Sequence, residues 1–181
     1  LPETLVLKDW SVDARGSLQQ GFRTRGQATL PGTAGPVQLA LEGLATTRAA
    51  ENIRIELATV GEDGVGQDTV VANGNVSWNQ GLEASADIRL RGFPWHTLVP
   101  GLASPAVALQ SLDGTVSWRE GSYHAELEAG VDGPQGRAEL ATTVDGDTEQ
   151  TTLTDLSIST GAGSLTGKGS VNFSGSLSWQ A

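Results

Sequence analysis

The sequence predicts an all-β fold, in which antiparallel strands build one long curved sheet with an apolar face. Three observations support this class. A Gly-x-Val-Ser-Trp-x-x-Gly motif occurs at residues 74–81 and 114–121, and a shortened copy begins at residue 175. The first two copies are followed by alternating apolar and polar residues. Five of the 24 glycines follow Asp or Asn, a combination that favours the tight turns of hairpins. The repeated unit is therefore a β-hairpin with one apolar face.

Strict alternation marks the individual strands. Between residues 82 and 91 every second residue is apolar, which gives a strand with one wet and one dry side. The same period of two indicates strands around residues 53–57, 123–131, 138–144 and 165–173. In the first hairpin the apolar residues Val76, Trp78 and Leu82 are all even-numbered, whereas in the second they change from even to odd between Trp118 and Tyr123. We expect the second hairpin loop to be one residue longer than the first, so that the apolar set stays on one side.

In a looser unit that precedes the motif, the alternation slips once. The unit is visible at residues 107–114 and 153–159, and less closely at residues 5–12. A bulge at the slip would bend the sheet, which is one way for a long sheet to curl into a trough. Asn73-Gly74 and Asp113-Gly114 are predicted to be either turns or bulges inside longer strands.

Two stretches break the pattern. Residues 45–52 are small and polar and are predicted to form a loop. Residues 93–105 have prolines near both ends and are predicted to form a loop or a short helical turn. The apolar residues of this stretch suggest a plug or lid, with a domain linker as the alternative; they are Phe93, Trp95, Leu98 and Val99.

The chain is interpreted as a single β-repeat segment over residues 1–181. It begins with Leu1, contains no methionine and ends within a copy of the motif, so we expect a segment of a longer protein. The net charge of -10 argues against a nucleic-acid partner. The absence of cysteine excludes disulfides and thiolate metal sites.

Motifs for catalysis, a cofactor or a metal are not evident. His96 and His124 stand apart from each other, and residues 145–149 are predicted to form a hairpin turn rather than a calcium loop. Glu126 and Glu128 are predicted to be solubilising residues on a wet face. We therefore expect a protein that is not an enzyme and that holds no cofactor and no metal.

The dry face must be covered, either by folding the sheet into a closed sandwich or barrel or by a ligand in an open trough. Many inward residues are Ala or Gly, which fill a sandwich poorly and favour the trough. Acyl chains of lipids or an unfolded amphipathic β-strand are the expected ligands. Trp78, Trp118 and Trp179 are predicted to pack in the core or groove wall, with a stacking platform as the alternative. The predicted groove-lining residues are Val76, Trp78, Leu82, Ala84, Ala86, Ile88, Leu90, Val116, Trp118, Tyr123, Ala125, Leu127, Ala129, Val131, Ala138, Leu140, Val144, Leu165, Val171 and Phe173.

The Gly-x-Val-Ser-Trp-x-x-Gly copies, the Leu-x-x-Leu strands before them and the block at residues 93–101 resemble the TamB family of the AsmA-like superfamily. This resemblance extends over essentially the whole chain. It implies a U-shaped β-taco with a hydrophobic groove, in the periplasm of a Gram-negative bacterium. The parent protein would be anchored in the inner membrane and would partner the outer-membrane barrel TamA.

Three functions follow as hypotheses. The first is a groove that conducts phospholipid towards the outer membrane, and the second is a holder for unfolded strands of outer-membrane proteins such as autotransporters. The third is a structural β-repeat spacer whose dry face is closed core. A sugar-binding module is a more distant fourth and would need exposed tryptophans.

Overall fold

The structure is a computed structural model that describes residues 8–32, 35–61, 66, 68–98, 105–173 and 178–180, the last three by their backbone only. Its strands form one sheet in which spatial order equals sequence order. Every neighbouring pair of strands is antiparallel. The predicted all-β fold with a long antiparallel sheet is therefore confirmed.

The sheet has 12 strands. They are β1 (Lys8–Ser17), β2 (Gly21–Gly32), β3 (Gly35–Ala45), β4 (Ala49–Thr59), β5 (Thr69–Ser77), β6 (Glu83–Arg91), β7 (Ala108–Arg119), β8 (Ser122–Gly133), β9 (Gly136–Gly146), β10 (Gln150–Thr160), β11 (Gly163–Asn172) and β12 (Ser178–Gln180). A 3-10 helix, Trp95–Leu98, follows β6. Within the described residues β1 pairs only with β2 and β12 only with β11, so the sheet is open.

Three local predictions were wrong. The predicted loop at residues 45–52 is reduced to residues 46–48, because β4 already begins at Ala49. The loop of the second hairpin, residues 120–121, is shorter than that of the first, residues 78–82. Glu120 and Gly121 both adopt positive φ, 49° and 91°, in this tight connection. Gly74 and Gly114 lie inside β5 and β7 and are neither turns nor bulged residues.

Bulges occur at the positions where the alternation slips. In β7 the pairing with β8 shifts between Leu109 and Ser111, and in β10 it shifts between Leu153 and Leu156. The same irregularity occurs in β1 between Lys8 and Ser11, and in β4 between Ala50 and Ile53. In each case the extra residue belongs to the named strand. The predicted bulges in the Leu-x-x-Leu units are therefore confirmed, and the sheet has one bulged strand in every three.

This spacing divides the sheet into three-strand units, β1–β3, β4–β6, β7–β9 and β10–β12. We call the bulged strand the leading strand of its unit and the third strand the trailing strand. Successive leading strands run in opposite directions. The bulges of β1 and β7 lie towards the end of the sheet that carries Val37, that of β4 lies towards the end that carries Val76, and that of β10 lies near the middle of its strand.

The main buried cluster lies where the 93–98 segment packs against the sheet. Phe93 and Val37 are each only 1% exposed and Leu90 is 5% exposed. The half-buried residues around them come from β2 to β7 and from the segment itself; they are Leu30, Leu57, Val70, Leu98, Leu109 and Leu112. The segment leaves β6 and reaches β2, and thereby covers one corner of the apolar side.

The 93–98 segment thus has the short helical turn that was one of the two predictions for this stretch. The Thr97 hydroxyl donates a hydrogen bond of 2.8 Å to the Pro94 carbonyl and is buried with the cluster. Trp95 stays 41% exposed. Val99 and the rest of the stretch up to residue 104 lie outside the described residues.

Candidate functional site

The apolar side chains line up in rows that cross the sheet at right angles to the strands. Residues paired directly across an antiparallel ladder point to the same side, so the register defines each row. There are four such rows, and together they form what we call the apolar face. Each row is named after one of its residues in β5 or β6. The Val76 row contains Phe22, Ala45, Ala50, Val76, Ala84, Trp118, Tyr123, Gly146, Thr151 and Val171.

Two of the other rows extend at least as far, and the Ala86 row begins at β4. The Ala86 row contains Ile53, Gly74, Ala86, Val116, Ala125, Val144, Leu153 and Gly169. The Ile88 row contains Val12, Gly26, Leu41, Ile55, Ala72, Ile88, Gly114, Leu127, Thr142, Leu156 and Gly167. The Leu90 row contains Ala28, Leu39, Leu57, Val70, Leu90, Leu112, Ala129, Leu140, Ile158 and Leu165.

The register brings most of the predicted groove residues onto this face. Val131 and Ala138 pair with each other one step beyond the Leu90 row. Three further predicted residues lie outside the strands. Trp78 and Leu82 belong to the connection between β5 and β6, and Phe173 follows the end of β11. Trp179 pairs with Val171 through its backbone, and its side chain lies outside the description.

Trp78 departs from the predicted packing in the core or groove wall. Its indole Nε1 donates a hydrogen bond of 2.9 Å to the Thr47 carbonyl, and its ring is 46% exposed. Trp118 instead lies within β7 and stacks on Tyr123, with ring centroids 6.4 Å apart and an interplanar angle of 7°. The difference arises because β5 ends one residue before Trp78.

The contribution of β2 and β3 to the apolar face was not predicted from the sequence. Leu39 and Leu41 continue the rows, and Val37 is among the most buried residues. The signal was present, since residues 22–30 and 37–41 alternate in the same way as the strands that were identified.

A shallow apolar depression of about 210 Å³ lies in the middle of the apolar face. The depression exists because three small residues leave space between their larger neighbours; they are Gly74, Ala84 and Ala86. Its apolar walls are formed by Ile53, Ile55, Val76, Val116 and Trp118. For comparison, an enclosed apolar cavity of about 150 Å³ is enough to bind benzene.

Within the residues that the structure describes, most of the apolar face has no second layer over it. The chain exposes 12321 Å², whereas a compact monomer of its mass, 18.7 kDa, exposes roughly 8,300 Å². Leu41 and Ile55 are each 39% exposed in the middle of the sheet, and Leu165 is 62% exposed near its end. A bare apolar surface of this extent marks an interaction site in a monomeric protein.

The opposite face is polar and carries ion pairs across the strands. Arg89 and Arg91 both contact the Asp113 carboxylate, at 3.2 and 2.7 Å. Partial desolvation raises the pKa of Asp113, but the hydrogen bonds and charges of the two arginines together outweigh it. The pKa of Asp113 is therefore held below its ordinary value. These pairs are largely exposed, so each contributes little to stability.

His124 links β8 to β9 on the same polar face. Its Nδ1 lies 2.6 Å from an Asp145 carboxylate oxygen, and its Nε2 lies 3.5 Å from Glu126. The hydrogen bond to Asp145 raises the pKa of His124, and Glu126 adds to this effect. Within the described residues, no cluster of three or more His, Asp or Glu side chains is arranged to hold a metal ion. None of those residues forms a helix long and apolar enough to cross a membrane.

No protein-family model matches the sequence, and searches of curated proteins and of solved structures find no similar protein. The resemblance to the TamB family therefore rests on the residues that suggested it.

Proposed function

We propose that the apolar face binds the acyl chains of lipids, and that the chain is a non-catalytic, groove-forming segment of a longer envelope protein. The observation that carries the proposal is the continuity of the largely uncovered apolar rows, three of which extend at least from β2 to β11 and one from β4 to β11. Acyl chains need an extended apolar surface without fixed polar partners. The rows supply such a surface, and we expect an acyl chain to bind in the depression at Gly74.

The bulges support a groove rather than a flat surface. A bulge bends its strand and increases the local twist, and here every third strand contains one. The 93–98 segment packs on the same side from β2 to β7, as expected for a side that is concave at that corner. In this proposal the sheet curves around the acyl chains as a trough.

The wider setting of the proposal comes from the resemblance to the TamB family. The parent protein would be anchored in the inner membrane, this segment would lie in the periplasm, and TamA would be its outer-membrane partner. Phospholipid passage to the outer membrane would then be the cellular role, with or without assistance to outer-membrane protein assembly. A spacer with a closed core is less compatible with the exposed Leu41, Ile55 and Leu165.

Replacement of Ile88 by Asp tests lipid binding. Ile88 is half-buried in the central row, and an ionised carboxylate there would have to lose its hydration against acyl chains. We expect lipid retained through purification to fall by about tenfold, as measured by native mass spectrometry. The matched control is Ser117→Asp, which adds the same charge at an exposed position on the polar face.

Unchanged lipid retention in Ile88→Asp, with the variant folded by circular dichroism, would refute the proposal. Photocrosslinking from Ile88 separates the two cargoes. Crosslinks to unfolded outer-membrane protein without lipid would support the strand-holding alternative instead.

A further inference from the structure

The 93–98 segment lies on part of the surface that we propose for lipid binding. Phe93 and Leu90 belong to one buried cluster, and three further residues of the Leu90 row pack against it; they are Leu57, Val70 and Leu112. The same row continues to Leu165 in β11, which is 62% exposed. The segment therefore covers a stretch of apolar surface of the kind that is bare near the other end of the row.

Apolar contacts pack the segment onto the sheet. Phe93 is 1% exposed, and Leu98 packs against the same cluster. The amide of Trp95 donates a hydrogen bond of 2.9 Å to the Phe93 carbonyl. The amide of Thr97 donates one of the same length to the Pro94 carbonyl. These hydrogen bonds lie within the segment and stay intact when it moves as a unit. An acyl chain can replace the apolar contacts in kind, because the burial of apolar surface is non-directional.

Gly92 marks the point where the chain leaves the sheet. Its amide still donates a hydrogen bond of 2.7 Å to the Gln110 carbonyl in β7. Its φ of 59° lies in the left-handed region, which glycine adopts at little cost. A Cβ at this position would lie 2.6 Å from the Asp68 carboxylate. Gly92 therefore suits the role of a hinge between a fixed strand and a segment that changes position.

We propose that the 93–98 segment is a displaceable lid that competes with the acyl chain for the Leu90 row between β4 and β7. The structure represents the closed state, in which the depression at Gly74 is accessible and Leu90 is buried. Opening about Gly92 adds the Leu90 row to the binding surface. Lipid binding and lid opening then favour each other by the same factor. This inference rests on the proposed function and adds a means of regulating it.

Thiol labelling reports lid opening, since the chain has no cysteine of its own. Thr97 lies in the segment and is 6% exposed, so a cysteine at this position is protected while the lid is closed. We expect vesicles of dioleoylphosphatidylcholine to raise the labelling rate of Thr97→Cys by about tenfold, a usual size for the coupling of two equilibria. The matched control is Ala125→Cys, at an 8% exposed position in β8 outside the lid, which should not become more reactive.

The reverse coupling is tested at Phe93. Phe93→Leu reduces the side chain that closes the lid and is expected to tighten lipid binding by up to about tenfold. Circular dichroism checks that this variant is folded. Weaker binding would show that Phe93 is a wall of the lipid site and not a competitor for it.

The two proposals fail in different ways. Lipid retained in the native mass spectrum together with unchanged labelling of Thr97→Cys would overturn the lid alone. Equal acceleration at Ala125→Cys would indicate general loosening of the sheet and would also overturn the lid. The absence of retained lipid would remove the proposed function and the lid with it.

Discussion

The corner of the apolar face beneath the 93–98 segment and the part beyond β8 are built from the same rows, yet they differ in burial. In the Leu90 row, Leu90 is 5% exposed near Phe93, whereas Leu165 in β11 is 62% exposed. Alternation puts both side chains on the same side of the sheet, but in the described part of the chain only the first has a covering segment. Apolar patterning thus determines which face a residue occupies, and a second layer of structure determines whether it is buried.

Removal of the covering side chain should have the largest effect on this difference. We expect Phe93→Ala to lower the free energy of unfolding by about 3–5 kcal/mol, because it leaves a cavity between Val37 and Leu90. Urea denaturation measures the change. Phe173→Ala is the control, since Phe173 is 51% exposed beyond β11 and should cost only about 0.5 kcal/mol. Equal losses in the two variants would contradict the contrast between the two parts.

We expect an effect of intermediate size on stability when two glycines of the Ile88 row are replaced by alanine. A Cβ at Gly114 would meet the Leu127 side chain and the Glu126 carbonyl, whereas a Cβ at Gly167 would have its nearest contact at 3.8 Å from Leu156. Gly114→Ala should therefore destabilise the fold by about 1–3 kcal/mol. Gly167→Ala should be neutral or stabilise it by about 0.5–1 kcal/mol through the reduced entropy of the unfolded chain. Thermal unfolding of both variants checks the order, and a loss at Gly167 as large as at Gly114 would refute it.

We expect the smallest effect from the contact between His124 in β8 and Asp145 in β9, on the polar face. Asp145 and Glu126 raise the pKa of His124 in the folded protein. The charged imidazole therefore stabilises the fold at any pH below the pKa that His124 has in the unfolded chain. This stabilisation is lost as the pH rises through the higher pKa of the folded state. An NMR titration of the His124 ring should give a pKa above its ordinary value, and Asp145→Asn should lower it. The same titration midpoint in both proteins would show that the 2.6 Å contact does not form in solution.

Much of the fold was predictable from local pattern. Alternation identified the strands from β4 onwards and the shared face of residues such as Ala86, Val116 and Ala125. The Leu-x-x-Leu spacing identified the bulges of β7 and β10, because two inward residues three positions apart require an extra residue between them.

The remainder depends on contacts between distant parts of the chain. Trp78 and Trp118 have the same local motif, but the length of the hairpin loop decides that one follows its strand and the other lies within it. The burial of Val37 depends on Phe93. Val37 lies in β3, which pairs with β2 and β4, whereas Phe93 follows the more distant β6. Periodicity within a strand carries no information about such a contact.

The three-strand period of the bulges has a consequence for how a chain of this kind could change in length. Three is odd, so loss or gain of one unit reverses the direction of every later strand and moves every later bulge to the opposite rim of the sheet. Loss or gain of six strands restores both. Length changes that keep every later strand in its original direction should therefore come as pairs of units, whereas duplication of a single unit would reverse every strand that follows it.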